Sequence, residues 1–181
     1  ERGSRLWHAV FKHALDLGRW EEAYCAVLSD PVAARRRDSL ATLVHHLCER
    51  GQAQALVQLP YAGDLQPLVE ATLTQRAHLA DLSAAHAAFA LLASFRQYRS
   101  NHRAAAATWL AYAARLQEAL AGGRGTLPAE TVVDLTGRQH AAYQAALAAL
   151  SLVDPAFAWV DLPPGSLPAE GVEGGGVEEA E

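Results

Sequence analysis

Isoleucine and methionine are absent from this chain of 181 residues, and cysteine occurs only as Cys25 and Cys48. Strand formers are scarce as well: 12 valines stand against 39 alanines and 26 leucines. A β-sandwich or barrel draws on Val, Ile, Thr and aromatic residues, so those classes are excluded. The 51% apolar content is mostly Ala and Leu, which lose little rotamer freedom in a helix and predict an all-α protein. Two cysteines make no disulfide framework and fit a reducing compartment. Long apolar runs are also missing. Ala87–Ala93 and Ala104–Ala114 fall short of the ~20 residues that span a bilayer, and the second is flanked by Arg103 and Arg115. No charged-then-apolar signal segment opens the chain. With no Met even at position 1, the chain reads as a piece of something longer.

Positive charge is not in excess. The formal net charge is −5, but residues 162–181 hold five glutamates and no Lys or Arg, which leaves 15 acidic against 15 basic residues in the rest. A formally neutral body argues against a dedicated nucleic-acid binder, whose affinity rests on neutralising phosphates.

What is present is a series of short amphipathic segments cut by caps and breakers. Ser4 is placed to cap a helix carrying Trp7, Val10, Phe11 and Ala14 on one face, and Gly18 stands where a helix end needs a left-handed residue. A second helix presents Trp20, Ala23, Tyr24, Val27 and Leu28, and the turn between the two has the character of a tetratricopeptide-type hairpin. Asp30-Pro31 stops it and starts the next, with Asp as cap and Pro at the first helical position. The third helix presents Leu40, Leu43, Val44, Leu47 and Cys48 and ends at Gly51. A short helix over Gln52–Gln58 breaks at Pro60, and a longer one follows over Leu65–Leu82. Ser83 is the expected cap of a segment whose Phe89, Leu91, Leu92, Phe95 and Tyr98 fan round more than one face, which predicts cover on two sides. After a break at Ser100-Asn101 comes a helix with Trp109, Tyr112, Ala113, Leu116 and Leu120. A loop at 121–126 leads to a last long helix opened by Pro128, with Tyr143, Leu147 and Leu150 expected inward. Pro155 then turns the chain into a short segment ending at Trp159. Seven or eight helices with connections of two to six residues suit antiparallel neighbours. Spacing between hairpins is irregular, so no fixed-period repeat is present. Residues 162–181, rich in Gly, Pro and Glu, have little to bury and are expected to form a disordered acidic tail or linker.

Candidate chemistry is thin. His45, Cys48 and Glu49 share a helix face, but no CxxC or HExxH pair accompanies them and Cys48 lies on the apolar stripe, so buried cysteine is the simpler reading than zinc. Cys25 could be paired with His8 or His13, yet it is expected in the middle of a packed helix, where a thiol is inert. Gly122-Gly123-Arg124-Gly125 lacks the Lys-Ser/Thr of a phosphate loop. Arg35-Arg36-Arg37 point about 100° apart on a helix and fan out without forming one basic patch. Arg96, Arg99 and Arg103 read better as hydrogen-bond donors toward a partner protein. The four tryptophans, Trp7, Trp20, Trp109 and Trp159, are expected as core anchors. No catalytic, cofactor or metal residue is assigned.

Several stretches together resemble one family: Leu6-Trp7, Phe11-Lys12-His13, Leu15-Asp16-Leu17-Gly18 and Glu22-Ala23-Tyr24; then Arg37-Asp38, Leu43-Val44, Leu47-Cys48-Glu49-Arg50 and Leu59-Pro60-Tyr61; then Phe95, Tyr98-Arg99, Asn101, Arg103, Tyr112, Arg115-Leu116 and Ala158-Trp159. In register over residues 6–160, they resemble the helical region of the one-hundred-and-sixty-kilodalton scaffold nucleoporins of the Y-shaped outer-ring complex of the nuclear pore. The resemblance implies a segment of a long α-solenoid that follows an N-terminal β-propeller. It also implies location at the nuclear envelope, and partners among the other Y subunits in an assembly on which messenger-RNA export and protein import depend. It carries no catalytic or cofactor residues. The propeller is not in this chain, the Gly/Pro-containing connection at 121–131 is longer than in the pattern, and the tail after Trp159 has no counterpart in it.

The sequence thus predicts an α-solenoid segment of stacked antiparallel hairpins over 1–161 and a tail over 162–181. Its expected role is passive scaffolding with other nucleoporins, without direct nucleic-acid or membrane contact. The alternative is a tetratricopeptide-like adaptor holding a peptide or partner protein in a groove, which a fixed repeat period would favour. A metal enzyme using His45, Cys48 and Glu49 would instead carry stoichiometric zinc.

Overall fold

The computed structural model describes residues 2–123 and 125–161. The expected acidic tail at 162–181 and Arg124 of the expected loop lie outside them. Among the described residues the regular elements are all helical: α1 (Arg2–Asp16), α2 (Trp20–Ser29), α3 (Ala33–Glu49), α4 (Ala53–Gln58), α5 (Leu65–Leu79), α6 (Leu82–Tyr98), α7 (His102–Gly122) and α8 (Ala129–Leu150), followed by a 3-10 turn, Pro155–Phe157. Consecutive helices pack on one another except α4 and α5: α3 also packs on α5 across the short fourth helix, and α4 packs on α6 across the fifth. Connections of two to six residues hold neighbours antiparallel, and the result is a solenoid-like stack of hairpins.

Three helix ends close in the same way. At α1, Gly18 adopts φ 71° while Arg19 N–H reaches Ala14 O and Gly18 N–H reaches Leu15 O. The same pair of bonds closes α3 at Gly51 (φ 67°) and α6 at Ser100 (φ 57°). The left-handed residue satisfies carbonyls that the helix leaves open. Glycine does this without steric cost; Ser100 is the non-glycine exception.

Caps and boundaries depart from expectation in particular ways. Helix α1 already runs at Ser4, which is buried inside it and does not cap it. Val32 stands at the N-cap of α3, and Asp30 at the C-cap of α2, because its carboxylate is engaged elsewhere. Helix α5 ends at Leu79, since Ala80 turns extended, and α6 is capped by Asp81, whose carboxylate accepts from Ala84 N–H. Ser83 sits inside α6 and donates to that carboxylate. Asn101 caps α7 through Ala104 N–H.

The main core holds Phe11, Tyr24, Leu40, Leu47, Phe89, Phe95 and Tyr112 along with many Leu and Ala side chains. Phe89, Leu92 and Phe95 are buried, and α6 is packed on α4, α5 and α7, as their fan of positions predicts. No tryptophan is a core anchor: Trp20 and Trp109 are half-buried, and Trp7 and Trp159 are 39% and 52% exposed. Arginine guanidinium groups lie over two of the indole rings, Arg50 over Trp20 and Arg103 over Trp159. Such rings keep an apolar body and a wet edge. Helix α8 turns Leu135, Ala142, Ala146 and Ala149 inward; Tyr143 and Leu150 are half-buried against the core clusters, as expected, while Leu147 is exposed. The reason is the partner surface. Ala105 and Ala106 of α7 meet Ala146 and Ala149 in a separate small-residue cluster, and alanine permits the close backbone approach that larger side chains would prevent.

Candidate interaction surfaces

The three residues considered for metal chemistry do not gather into one group. His45 Nε2 pairs with Glu49 Oε1 at 3.0 Å, and its Nδ1 lies 3.5 Å from an Arg76 nitrogen. Cys48 is half-buried on the apolar side of α3, and burial pushes its thiol pKa up. Among the described residues no three His, Cys, Asp or Glu side chains gather in a metal-binding group. Cys25 is exposed, contrary to the expectation of a packed position, because α2 turns Ala23, Tyr24, Ala26 and Val27 to the core. It lines an open cleft of ≈ 760 Å³ between α2 and the short α4, with Trp20, Tyr24, Gln54, Gln58 and Pro60. No histidine lines that cleft.

The arginines do something the sequence did not announce. Arg35, Arg36 and Arg37 fan out as helix geometry requires, toward Ser4 Oγ (2.9 Å), Asp30 O (3.0 Å) and the Asp64 carboxylate (4.0 Å). Arg96 and Arg99, expected toward a partner, are engaged within the chain instead. Arg96 Nε donates to Glu70 at 2.8 Å, and its NH1 donates to Ala104 O and to Thr108 Oγ1, which joins α5, α6 and α7. Arg99 donates to Val57 O and Leu59 O, both at 3.2 Å, and its guanidinium carbon lies 3.7 Å from the centre of the Phe95 ring. Arg115 donates to Ala77 O and Ala80 O.

Three arginines therefore close three helix ends from a distance: Arg36 at α2, Arg99 at α4 and Arg115 at α5. A planar fork with several donors meets two carbonyls at once, and its charge suits the negative end of a helix. Arg36 takes one carbonyl and the other two take pairs. The signal was in the composition, 14 arginines to one lysine. A lysine point charge cannot bridge two carbonyls in a fixed geometry. Around Arg99, burial lowers its own pKa, against the pull of Tyr61 and Tyr98. Burial also raises the pKa of Tyr61 and Tyr24, with Arg99 opposing in both cases. This knot ties the Pro60 turn to α6 and α2, since Tyr24 also donates to Pro60 O at 3.1 Å.

A second cleft, ≈ 420 Å³, lies between α1 and α3 and is lined by Arg5, His8, Arg35, Asp38, Ser39 and Thr42. It is open to solvent. A stack of helix hairpins that closes three of its own helix ends with arginines, and whose clefts are open, defines a helical scaffold or interaction module. A family model described as "NUP160/120 middle TPR" matches residues 1–152. The chain belongs to that family. It is similar to the nuclear pore complex protein Nup160 of Homo sapiens, 37% identical over 154 residues, and to that of Mus musculus, 36% identical over 154 residues; each match covers 85% of this chain and 10% of the relative. The nuclear pore complex protein NUP160 of Arabidopsis thaliana is 31% identical over 160 residues, covering 87% of this chain and 10% of that protein. The chain thus spans about a tenth of the length of the curated relatives it matches.

Proposed function

We propose that this chain is a structural segment of a nuclear pore scaffold nucleoporin. One observation carries the reading: the match over 85–87% of the chain to proteins named as nuclear pore components, in animals and a plant. The structure supports a passive role. Its buried Leu/Ala core and arginine-closed helix ends make a rigid spacer, and its open clefts suit protein contact better than enclosure of a substrate. The role is structural and not catalytic. The resemblance to outer-ring nucleoporins extends the proposal to other Y-complex subunits as partners, to the nuclear envelope as location, and to support of messenger-RNA export and protein import. Direct nucleic-acid or membrane contact by this segment is not part of it; among the described residues no helix is long and apolar enough to cross a membrane. Residues 1–161 form the solenoid segment and 162–181 an acidic linker in this proposal.

The test is an affinity pull-down of the full-length protein, which should recover other Y-complex subunits; recovery of none of them overturns the reading. The adaptor alternative gains no support from helix lengths, which run from six residues in α4 to 22 in α8 with no regular period.

A further inference from the structure

The cleft of ≈ 420 Å³ between α1 and α3 gathers hydrogen-bonding groups that the fold leaves unused. Arg5 and His8 come from α1, and Arg35, Asp38, Ser39 and Thr42 share one face of α3. Arg35 is already held in place. One of its nitrogens donates to Ser4 Oγ at 2.9 Å, and Ser4 is fixed in turn by the buried Asp30. Among the described residues the rest of that guanidinium has no partner, Arg5 has none, and Asp38 forms no ion pair with either arginine. Ser39 is only 6% exposed, yet its hydroxyl makes no hydrogen bond among the described residues. His8 Nδ1 is buried without a partner as well. Buried polar groups are rarely left unpaired unless something else satisfies them.

We infer that this cleft binds the phosphorylated serine or threonine side chain of a partner protein's peptide. Arg5, Arg35 and the Ser39 hydroxyl supply donors from two helices, enough for the three terminal oxygens of a phosphomonoester, where a carboxylate offers two. The acceptors choose a peptide. Thr42 spends its proton on Asp38 O at 2.8 Å, so its oxygen can only accept, as can the Asp38 carboxylate. Both need N–H donors beside the anion, which a peptide backbone supplies and a free phosphate ion does not. A nucleic-acid strand would need a basic track for its repeated phosphates, and residues 1–161 are formally neutral.

Fluorescence anisotropy tests the inference on the 181-residue chain. The probes are a mixture of short peptides sharing one central phosphoserine, the same mixture with serine, and an RNA oligonucleotide, with inorganic phosphate as competitor. The phosphoserine mixture should bind about tenfold or more tightly than the serine mixture. Arg5→Gln should weaken that binding about fivefold without moving the thermal melt, because Arg5 holds nothing in the fold. Asp38→Asn should narrow the preference for the peptide over inorganic phosphate. Equal binding of the two peptide mixtures overturns the inference. So does inorganic phosphate that competes at the peptide's own concentration, RNA that binds more tightly than the peptide, or binding that neither variant changes. The inference does not rest on the pore role: a pull-down that recovers no Y subunit would overturn that role and leave peptide binding standing.

Discussion

Ser4 and Asp30 share a 2.6 Å hydrogen bond, the serine hydroxyl donating, although 26 residues separate them and both are buried. The same carboxylate oxygen accepts from Val32 N–H at 2.9 Å, and Ser4 Oγ in turn accepts from Arg35. One buried acid thus ties α1 to the turn between α2 and α3. Burial alone would raise its pKa, but the Ser4 and Val32 bonds and the nearby Arg35 and Arg36 charges outweigh burial and hold it below the ordinary carboxylate range. A depressed folded pKa contributes stability above the unfolded value of about 4, and the contribution is lost as pH falls through the folded value. Asp30→Asn should therefore flatten the fall in stability between about pH 5 and pH 2. Ser4→Ala should cost about 1–3 kcal/mol at neutral pH by removing one partner of a buried charge. Urea titrations across pH check both; an acid limb as steep in Asp30→Asn as in the parent would contradict the assignment.

Arg99→Ala should be among the most damaging single changes. It removes the arginine donor from the Val57 and Leu59 carbonyls, of which Leu59 keeps Tyr61 N–H, and uncovers the Phe95 ring. With charged hydrogen bonds worth about 1.5–3 kcal/mol, a loss of about 2–3 kcal/mol is expected. For a chain of this size that is a fall of roughly 5–10 °C in Tm. Arg99→Lys should recover less than half, because an ammonium cannot span both carbonyls while lying over the ring. Thermal melts of the two variants measure the difference.

Tyr61 and Tyr24 are in edge contact, with ring centres 5.3 Å apart, but their hydroxyls differ. The Tyr61 hydroxyl is buried without a hydrogen-bond partner, whereas that of Tyr24 donates to Pro60 O. Tyr61→Phe should be neutral or stabilising by about 1 kcal/mol, and Tyr24→Phe should cost about 1 kcal/mol. Opposite signs in paired denaturant midpoints are the outcome to look for.

Ser100 and Gly18 occupy equivalent left-handed positions at the ends of α6 and α1. Ser100→Gly relieves a conformation that disfavours a side chain by about 1–2 kcal/mol and loosens the unfolded chain by about half as much. A gain of about 0.5 kcal/mol should follow. Gly18→Ala should lose about 1 kcal/mol from backbone strain, since its Cβ would meet Trp20 only at an ordinary 3.6 Å. A melt in which both glycine forms prove less stable than their partners would refute the turn argument.

Much of the helical order was legible because the signals are local. Gly18, Gly51 and the Ser100-Asn101 break end helices through bonds that reach five residues back, and the stripe Leu40, Leu43, Val44, Leu47 needs only the 3.6-residue period to declare a face. The roles of Ser4, Arg96 and Arg99 were not legible. Their most distant partners lie 26 to 42 residues away, and a hydroxyl or guanidinium is equally suited to a cap, a solvent face or an interface until those partners are placed. The same holds for Cys25, whose exposure depends on which side of α2 the third helix takes.

By itself the sequence determined the all-helical class, the turns and the family, because Ala/Leu composition, left-handed end residues and a long in-register motif are properties of the chain read in order. Tertiary structure decided the rest: which arginine closes which helix end, that the tryptophans stop short of full burial, and that α8 packs through alanines and leaves Leu147 outside. Those outcomes depend on how closely two helices can approach and which carbonyls are left open. Such quantities exist only once distant segments have packed.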